Sequence, residues 1–315
     1  MSLIFGANLS DRIYLAADTR LTKTVSGDSK DDILKIENIH NNLLVAAAGD
    51  LALAQYLFKK LKADPIPKLP IDQFRAGIEG WIKQTINKYL ESHHYAKSCL
   101  LFAGIDPDKR KIISGKQLIK KVKHFQDTTG TQMELKPVIY EGLKAKGNNP
   151  NPYPELPVPH SRLFGVQISP KENLLKIEDT DWGEYLAYGP KGFSKEDVPS
   201  TLIGQLEFEK GCGNVIRETG VLAAFIFSTA ATKELPTVGG GVITLMVGTL
   251  PNSVPGTFMG SNKTYISRTG DPKDLELVQE VEVIDNKFCY RKNNSNFIAL
   301  TPFSEYKPHK GQSMI

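Results

Sequence analysis

The sequence opens Met1-Ser2, and an initiator methionine ahead of so small a residue is open to removal. A serine at a free N-terminus carries an α-amine, of pKa ~7.7–8.0, beside its own hydroxyl. That amine can take the hydroxyl proton near neutral pH, making a nucleophile without a histidine. Met-Ser starts are common, so Ser2 gains weight only from its context. Asp18 closes the apolar run Leu15-Ala16-Ala17, and Lys35 stands in Asp32-Ile33-Leu34-Lys35-Ile36. A lysine held near the amine and hydroxyl favours their deprotonated forms, and Asp18 is suited to orient it. Gly49 follows Ala46-Ala47-Ala48 at a strand-to-helix junction. A backbone N–H there, with a helix N-terminus behind it, can face a developing oxyanion. Singly these features read as a surface ion pair, a helix cap and a tight turn. Together they spell acyl transfer by an N-terminal hydroxyl.

The surrounding pattern predicts the elements that would hold these four residues. Residues 2–8 and 12–18 form a hairpin turning at Asn8-Leu9-Ser10-Asp11, so the chain's first residues are pinned in a sheet. A polar loop over 19–33 leads to a second hairpin, Leu34–His40 with Leu43–Ala48. Asp50 is placed to cap a helix carrying Leu53, Leu57, Phe58 and Leu61 at helical spacing, ended by Pro65, Pro67 and Pro70. A second amphipathic helix runs from about Asp72 to His93, with Phe74, Ile78, Trp81, Ile82, Ile86, Tyr89 and Leu90 on one face. Strands follow near Cys99–Ile105, Leu163–Ile168, Leu174–Glu178 and Glu184–Tyr188. A third helix spans roughly Asn214–Thr232, then Gly239-Gly240-Gly241 enters the strand Val242–Gly248. A last hairpin pairs Glu280–Ile284 with Phe288–Arg291 around Asp285-Asn286. Strands cluster and helices cluster, which argues for packed α+β layers and against a βαβ repeat.

Composition narrows the function classes. The 315 residues carry 39 basic and 35 acidic side chains, a net +4, too small an excess for a nucleic-acid face. Three scattered cysteines, Cys99, Cys212 and Cys289, predict free thiols, with neither a disulfide framework nor a metal site. His93-His94 reads as a solvated helix end, and Lys120-Lys121-Val122-Lys123-His124 as a solvated run. Gly239–Gly241 lacks the Lys-Ser/Thr of a phosphate loop. No cofactor and no metal are expected. The absence of a secretory leader and of a long apolar run sets the expectation of a cytoplasmic protein, with no membrane and no nucleic acid among its partners.

The order of these elements and residues resembles the β-subunits of the proteasome, the peptidase subunit of the bacterial two-component ATP-dependent protease, and the Anbu (ancestral β-subunit) proteins. Counting Ser2 as the first residue, Asp18 falls where that family keeps its aspartate. Lys35 and Gly49 match its lysine and oxyanion glycine after one inserted residue in the 19–34 loop. The resemblance covers about residues 2–107 and, more weakly, 162–250, where Gly240-Gly241-Val242 matches the family's Gly-Gly-Val. It implies an Ntn-hydrolase fold, a four-layer αββα sandwich of two antiparallel sheets between helix layers. It further implies that Ser2 is the nucleophile, usually threonine there, that Asp18 and Lys35 are its supporting pair, and that Gly49 donates to the oxyanion.

Two departures stand out. Pro236 occupies the place of a family aspartate, with Glu234 the nearest acid, and Gly239 replaces a serine. The segment that orients the terminus survives only as Tyr188-Gly189-Pro190-Lys191-Gly192. The expected activity is cleavage of peptide or amide bonds through an acyl-enzyme in a homo-oligomer, a ring or open helical stack, with an ATP-dependent unfoldase as a candidate partner. An inactive assembly or binding subunit and a small-molecule amidase are the rival expectations. Phe74, Trp81 and Tyr89, with the apolar third helix, are expected to leave apolar surface for assembly. The domain is expected over residues 2–250, interrupted by a polar, basic insertion at about 108–160 and followed by an extension over 251–315. The insertion, ending in extended chain from Asn148 to Pro159, is expected to govern access or subunit contacts.

Overall fold

Apolar residues crowd the first strands on both faces because both faces are covered. The fold comes from a computed structural model that describes residues 2–9, 12–22, 29–40, 42–90, 97–113, 156–169, 174–211, 215–248, 256–259, 263–267, 275–293 and 295–306. Along the chain, β1 (Ile4–Asn8) and β2 (Arg12–Asp18) precede the two-residue strands β3 (Leu21–Thr22), β4 (Ser29–Lys30) and β5 (Ile33–Leu34). β6 (Ile36–His40), β7 (Leu43–Gly49), helix α1 (Leu51–Ala63) and helix α2 (Ile71–Leu90) follow. Next come β8 (Ser98–Ile113), β9 (Leu156–Ser169), β10 (Leu174–Thr180) and β11 (Glu184–Tyr188), then α3 (Leu202–Gly211) and α4 (Val215–Thr232). The chain continues through β12 (Val242–Gly248), β13 (Gly256–Met259), β14 (Lys263–Ser267), β15 (Leu275–Ile284), β16 (Lys287–Arg291), β17 (Ile298–Ala299) and β18 (Thr301–Pro302).

The result is a mixed α/β architecture with several antiparallel sheets and few helices. One five-stranded sheet runs β11-β1-β2-β12-β13 and a second runs β10-β9-β8-β7-β6. The first hairpin pairs Ile4 with Ala17 and Asn8 with Ile13, closed by a 2.9 Å bond from the Leu9 N–H to the Arg12 carbonyl. Alternation then sorts the side chains. Ile4, Leu15 and Ala17 join Ala46, Leu101 and Leu163 of the second sheet in one buried cluster. Phe5, Tyr14 and Ala16 point the other way and meet Leu206, Leu222 and Ile226 of α3 and α4. The far face of the second sheet, with Val45, Phe102 and Phe164, is covered by Leu57 and Phe58 of α1 and Phe74 and Ile78 of α2.

Local signals place α1 where expected. The Asp50 carboxylate accepts from the N–H groups of Ala52 (2.8 Å) and Leu53 (3.2 Å), capping the helix. The expected spare apolar face on α2 is absent. Phe74 and Tyr89 are buried and Trp81 packs against the same cluster, because α2 lies on both α1 and the second sheet. The chain between β11 and α4 also holds a helix, α3, that periodicity did not signal; Gly204 and Gly211 dilute its apolar pattern.

The insertion begins as regular structure. β8 and β9 stay paired from Ser98↔Ile168 out to Ile113↔Leu156, with a register shift between Asp106 and Arg110. Residues 156–159 are therefore strand, where extended polyproline-like chain was expected, since the ladder satisfies their backbone groups. Cys99 and Cys289 are free and buried, and burial pushes the Cys99 thiol up to about 11. Cys212, His93-His94, the 120–124 run and residues 148–155 lie outside the described residues.

The described residues beyond 250 are built onto this body. β13 edges the first sheet, and β14-β15-β16-β17 form a four-stranded sheet. Its hairpin turns where expected, with φ 50° at Asp285 and φ 61° at Asn286, as a two-residue type I′ turn requires. The tail then runs beside β5, its Thr301 and Phe303 N–H groups bonding the carbonyls of Asp32 (2.8 Å) and Leu34 (3.0 Å). Phe303 is fully buried, edge-on to Phe58 at 4.1 Å. Phe303→Ala is expected to cost about 3–5 kcal/mol by leaving a cavity under α1. Urea unfolding checks this; a loss under ~1 kcal/mol would mean the tail only rests on the surface.

Candidate active site

Asp18 is a carboxylate with no solvent exposure, at the rim of β2. A bare buried carboxylate is costly, so its partners define the site. Its Oδ1 accepts the Leu3 N–H at 2.9 Å. Its Oδ2 accepts the Lys35 ammonium at 2.9 Å and the N–H groups of Arg20 (3.1 Å) and Gly239 (3.3 Å). Lys35, 5% exposed between β5 and β6, also donates to the Arg20 carbonyl. Burial drives the Lys35 pKa below the ordinary lysine value, and the charge of Asp18 opposes that shift. Burial likewise raises Asp18, opposed by Lys35 and then by the backbone donors.

Near neighbours of the other two sequence-selected residues bond this pair through backbone. Ser2, half-buried, immediately precedes Leu3, whose N–H holds Asp18. The Lys35 carbonyl accepts the Ala47 N–H at 3.1 Å, two residues before Gly49. Gly49 ends β7 at φ +100°, just ahead of the Asp50 cap of α1. A side chain there would collide with the Lys97 carbonyl, so the turn needs glycine. The Tyr188–Gly192 segment leaves β11 where Tyr188 pairs with Ile4, at the same end of the sheet as Ser2.

Sequence reasoning missed a second ring of residues. Arg20 grips Asp31 with two bonds, Nε–Oδ1 at 2.8 Å and Nη2–Oδ2 at 3.0 Å. The Asp31 carbonyl accepts the Thr19 hydroxyl (2.9 Å) and the Tyr290 hydroxyl (2.7 Å). Thr19 Oγ1 accepts the Gly241 N–H at 2.8 Å, and the Gly241 carbonyl accepts the Thr19 N–H at 2.9 Å. An arginine two residues after the rim aspartate, with an aspartate in the following loop, was the available signal.

The family model for the proteasome subunit matches residues 2–66. Over that stretch the chain is similar to a proteasome subunit. That stretch holds Ser2, Asp18, Lys35 and Gly49. No curated protein matches the sequence. Among solved structures, an Anbu (Gly-1) mutant from Hyphomicrobium sp. strain MC1 is similar at 13% identity and a TM-score of 0.45, over 83% of this chain and 88% of the other. Anbu (ancestral beta-subunit) from Yersinia bercovieri is similar at 15% identity and a TM-score of 0.44, over 82% and 87%.

At the two positions that depart from the proteasome-subunit pattern, the contacts to the site are made by backbone. Where a serine is absent, Gly239 approaches Asp18 with its backbone N–H, and the Arg20 guanidinium lies against the position a side chain would occupy. Pro236 supplies a carbonyl, which accepts Arg20 Nη1 at 3.3 Å.

The Arg20–Asp31 clamp sets a pH dependence. Its hydrogen bonds hold the Asp31 carboxyl below the usual aspartate value. A depressed folded-state pKa contributes stability above the unfolded value, ~3.9, and loses it as pH falls through the folded one. Arg20 and Asp31 are 26% and 30% exposed, so the pair is worth under ~1 kcal/mol. Arg20→Ala is expected to be less stable than wild type at pH 7, with the gap closing below about pH 4. A gap that widens in acid would refute this account.

Proposed function

We propose that this chain is an N-terminal serine hydrolase that cleaves peptide or amide bonds through an acyl-enzyme, with the four-layer Ntn-hydrolase arrangement, in a self-assembled oligomer. One observation carries the reading. The carboxylate that anchors buried Lys35 is the same one that anchors Leu3, the residue following Ser2. A nucleophile at position 2 would thus stand one residue from the carboxylate that also holds Lys35.

In this reading the Ser2 hydroxyl attacks the substrate carbonyl carbon, and its proton passes to the α-amine freed by loss of Met1. Lys35, oriented by Asp18, keeps that amine and hydroxyl poised to lose protons. The Gly49 N–H donates to the oxyanion, assisted by the N-terminus of α1. The C–N bond breaks, the leaving amine takes the proton, and an ester remains on Ser2. Water then gives a proton to the α-amine and attacks the ester, and the carboxylic acid departs as the hydroxyl recovers its proton. Support for the layer order comes from the three buried clusters, one shared by the two large sheets and two in which a sheet packs with helix residues. Support for self-assembly comes from the matched family model being that of a subunit.

Intact mass and an epoxyketone probe test the reading together. The expected result is loss of Met1 and a covalent adduct on Ser2. Retention of Met1, or no adduct on processed protein, would defeat it. An inactive assembly subunit is the second reading, favoured by Pro236 and Gly239 standing where the family has an acid and a hydroxyl. A processed, unlabelled oligomer is what that reading expects.

A further inference from the structure

The C-terminal sheet bonds two backbone segments beside the Asp18–Lys35 pair, at Asp31 and at Val242, and we propose that Tyr290 and Gln279 are positioning residues through which it holds that pair for the serine chemistry. The consequence for turnover rests on the reading above; the positioning itself does not. Tyr290, 1% exposed on β16, sends its hydroxyl to the Asp31 carbonyl across 259 positions of sequence, at 2.7 Å. Asp31 in turn grips the Arg20 guanidinium, and Arg20 contributes its carbonyl to Lys35 and its N–H to Asp18. The Tyr290 ring also lies against Gly241, at the point where a side chain would sit, and Gly241 is bonded to Thr19 beside Asp18. Tyr290 therefore buttresses both backbone walls around the carboxylate.

Gln279, 2% exposed on β15, acts on Val242, the residue after Gly241. Its Oε1 accepts the Val242 N–H at 2.7 Å and its Nε2 donates to the Val242 carbonyl at 2.6 Å. Val242 is the residue of β12 that pairs with Asp18. The side-chain amide thus completes a ladder that the sheet would otherwise leave open at that residue, where the position of Asp18 is set. Buried amide groups and hydroxyls with both ends committed resist rotation, and small displacements near a reacting group cost rate steeply.

The test uses the full chain with two readouts. One is Ser2-dependent turnover of a fluorogenic peptide, split into kcat and KM. The other is the NMR signal of the Lys35 side chain in lysine-labelled protein, assigned by its loss in Lys35→Met and followed through a pH titration. Tyr290→Phe removes only the hydroxyl. It is expected to lower kcat roughly 10- to 100-fold at unchanged KM and to shift the Lys35 signal and its titration. Gln279→Met is expected to act in the same direction. Arg291→Ala, in the same sheet, removes the 2.8 Å grip on Glu280 and is expected to lower the Tm while leaving both readouts as in wild type. A folded Tyr290→Phe with wild-type kcat and Lys35 titration overturns the proposal, as does an Arg291→Ala that reproduces the Tyr290→Phe pattern. Should Tyr290→Phe not fold, Gln279→Met decides by the same criteria. If wild type shows no Ser2-dependent turnover, the hydrolase reading fails, and the Lys35 titration alone then decides the positioning.

Discussion

Ser2→Ala abolishes amide hydrolysis and leaves stability within about 0.5 kcal/mol of wild type; this is the largest effect expected of any single substitution here. Alanine is as small as serine, so removal of Met1 is preserved and the α-amine stays in place. Only the attacking oxygen is lost. Ser2 is half-buried, and no strand of the ladder depends on its side chain. Ser2→Thr supplies a second hydroxyl of the kind the resembling family uses and is expected to keep measurable turnover. The measurement is hydrolysis of a fluorogenic peptide alongside urea unfolding. Unchanged turnover in Ser2→Ala would remove the serine from the mechanism altogether.

Lys35→Met comes next in size, and it separates chemistry from stability through pH. Methionine keeps the unbranched stem and deletes the ammonium. Turnover is expected to drop by ~10²-fold or more, because the terminal amine loses the group that keeps it poised. Folding is expected to lose about 3–5 kcal/mol at pH 7, because Asp18 is left charged, fully buried and held by three backbone N–H groups. Burial already raises Asp18, and Lys35 is the largest influence lowering it. Without Lys35 its folded-state pKa rises further above the unfolded ~3.9. A raised carboxyl pKa means the fold binds a proton the unfolded chain does not, so the variant recovers stability as pH falls through that folded value and loses it as pH rises. Wild type and variant should therefore diverge towards neutral pH and converge in mild acid. Adding Asp18→Asn to Lys35→Met should flatten that dependence, since no charge remains to be buried. A deficit independent of pH would show that Asp18 does not titrate as described.

Asp18, Lys35 and Gly49 stood out in the sequence as candidates because each sits at a junction with a local signature, and Ser2 became a candidate only through them. A rim acid closes an apolar strand, a lysine interrupts an apolar run, and a glycine precedes a capping aspartate. The hairpins, α1, most of α2 and the Asp285-Asn286 turn were legible for the same reason: periodicity, capping and turn chemistry act over a few residues. What holds the site was not legible. Gly239 reaches Asp18 with a backbone N–H from 221 positions away, and such a donor leaves no trace in residue type. Tyr290 and Gln279 read as ordinary strand residues until the C-terminal sheet folds back and turns them onto Asp31 and Val242. Composition likewise could not say whether the aromatic face of α2 was spare or used. Packing against α1 and the second sheet decided that Phe74 and Tyr89 are core. Sequence carried the groups able to do chemistry, through short-range rules; only tertiary structure supplied the long-range backbone donors and buried contacts that place those groups, because these depend on which distant strands become neighbours.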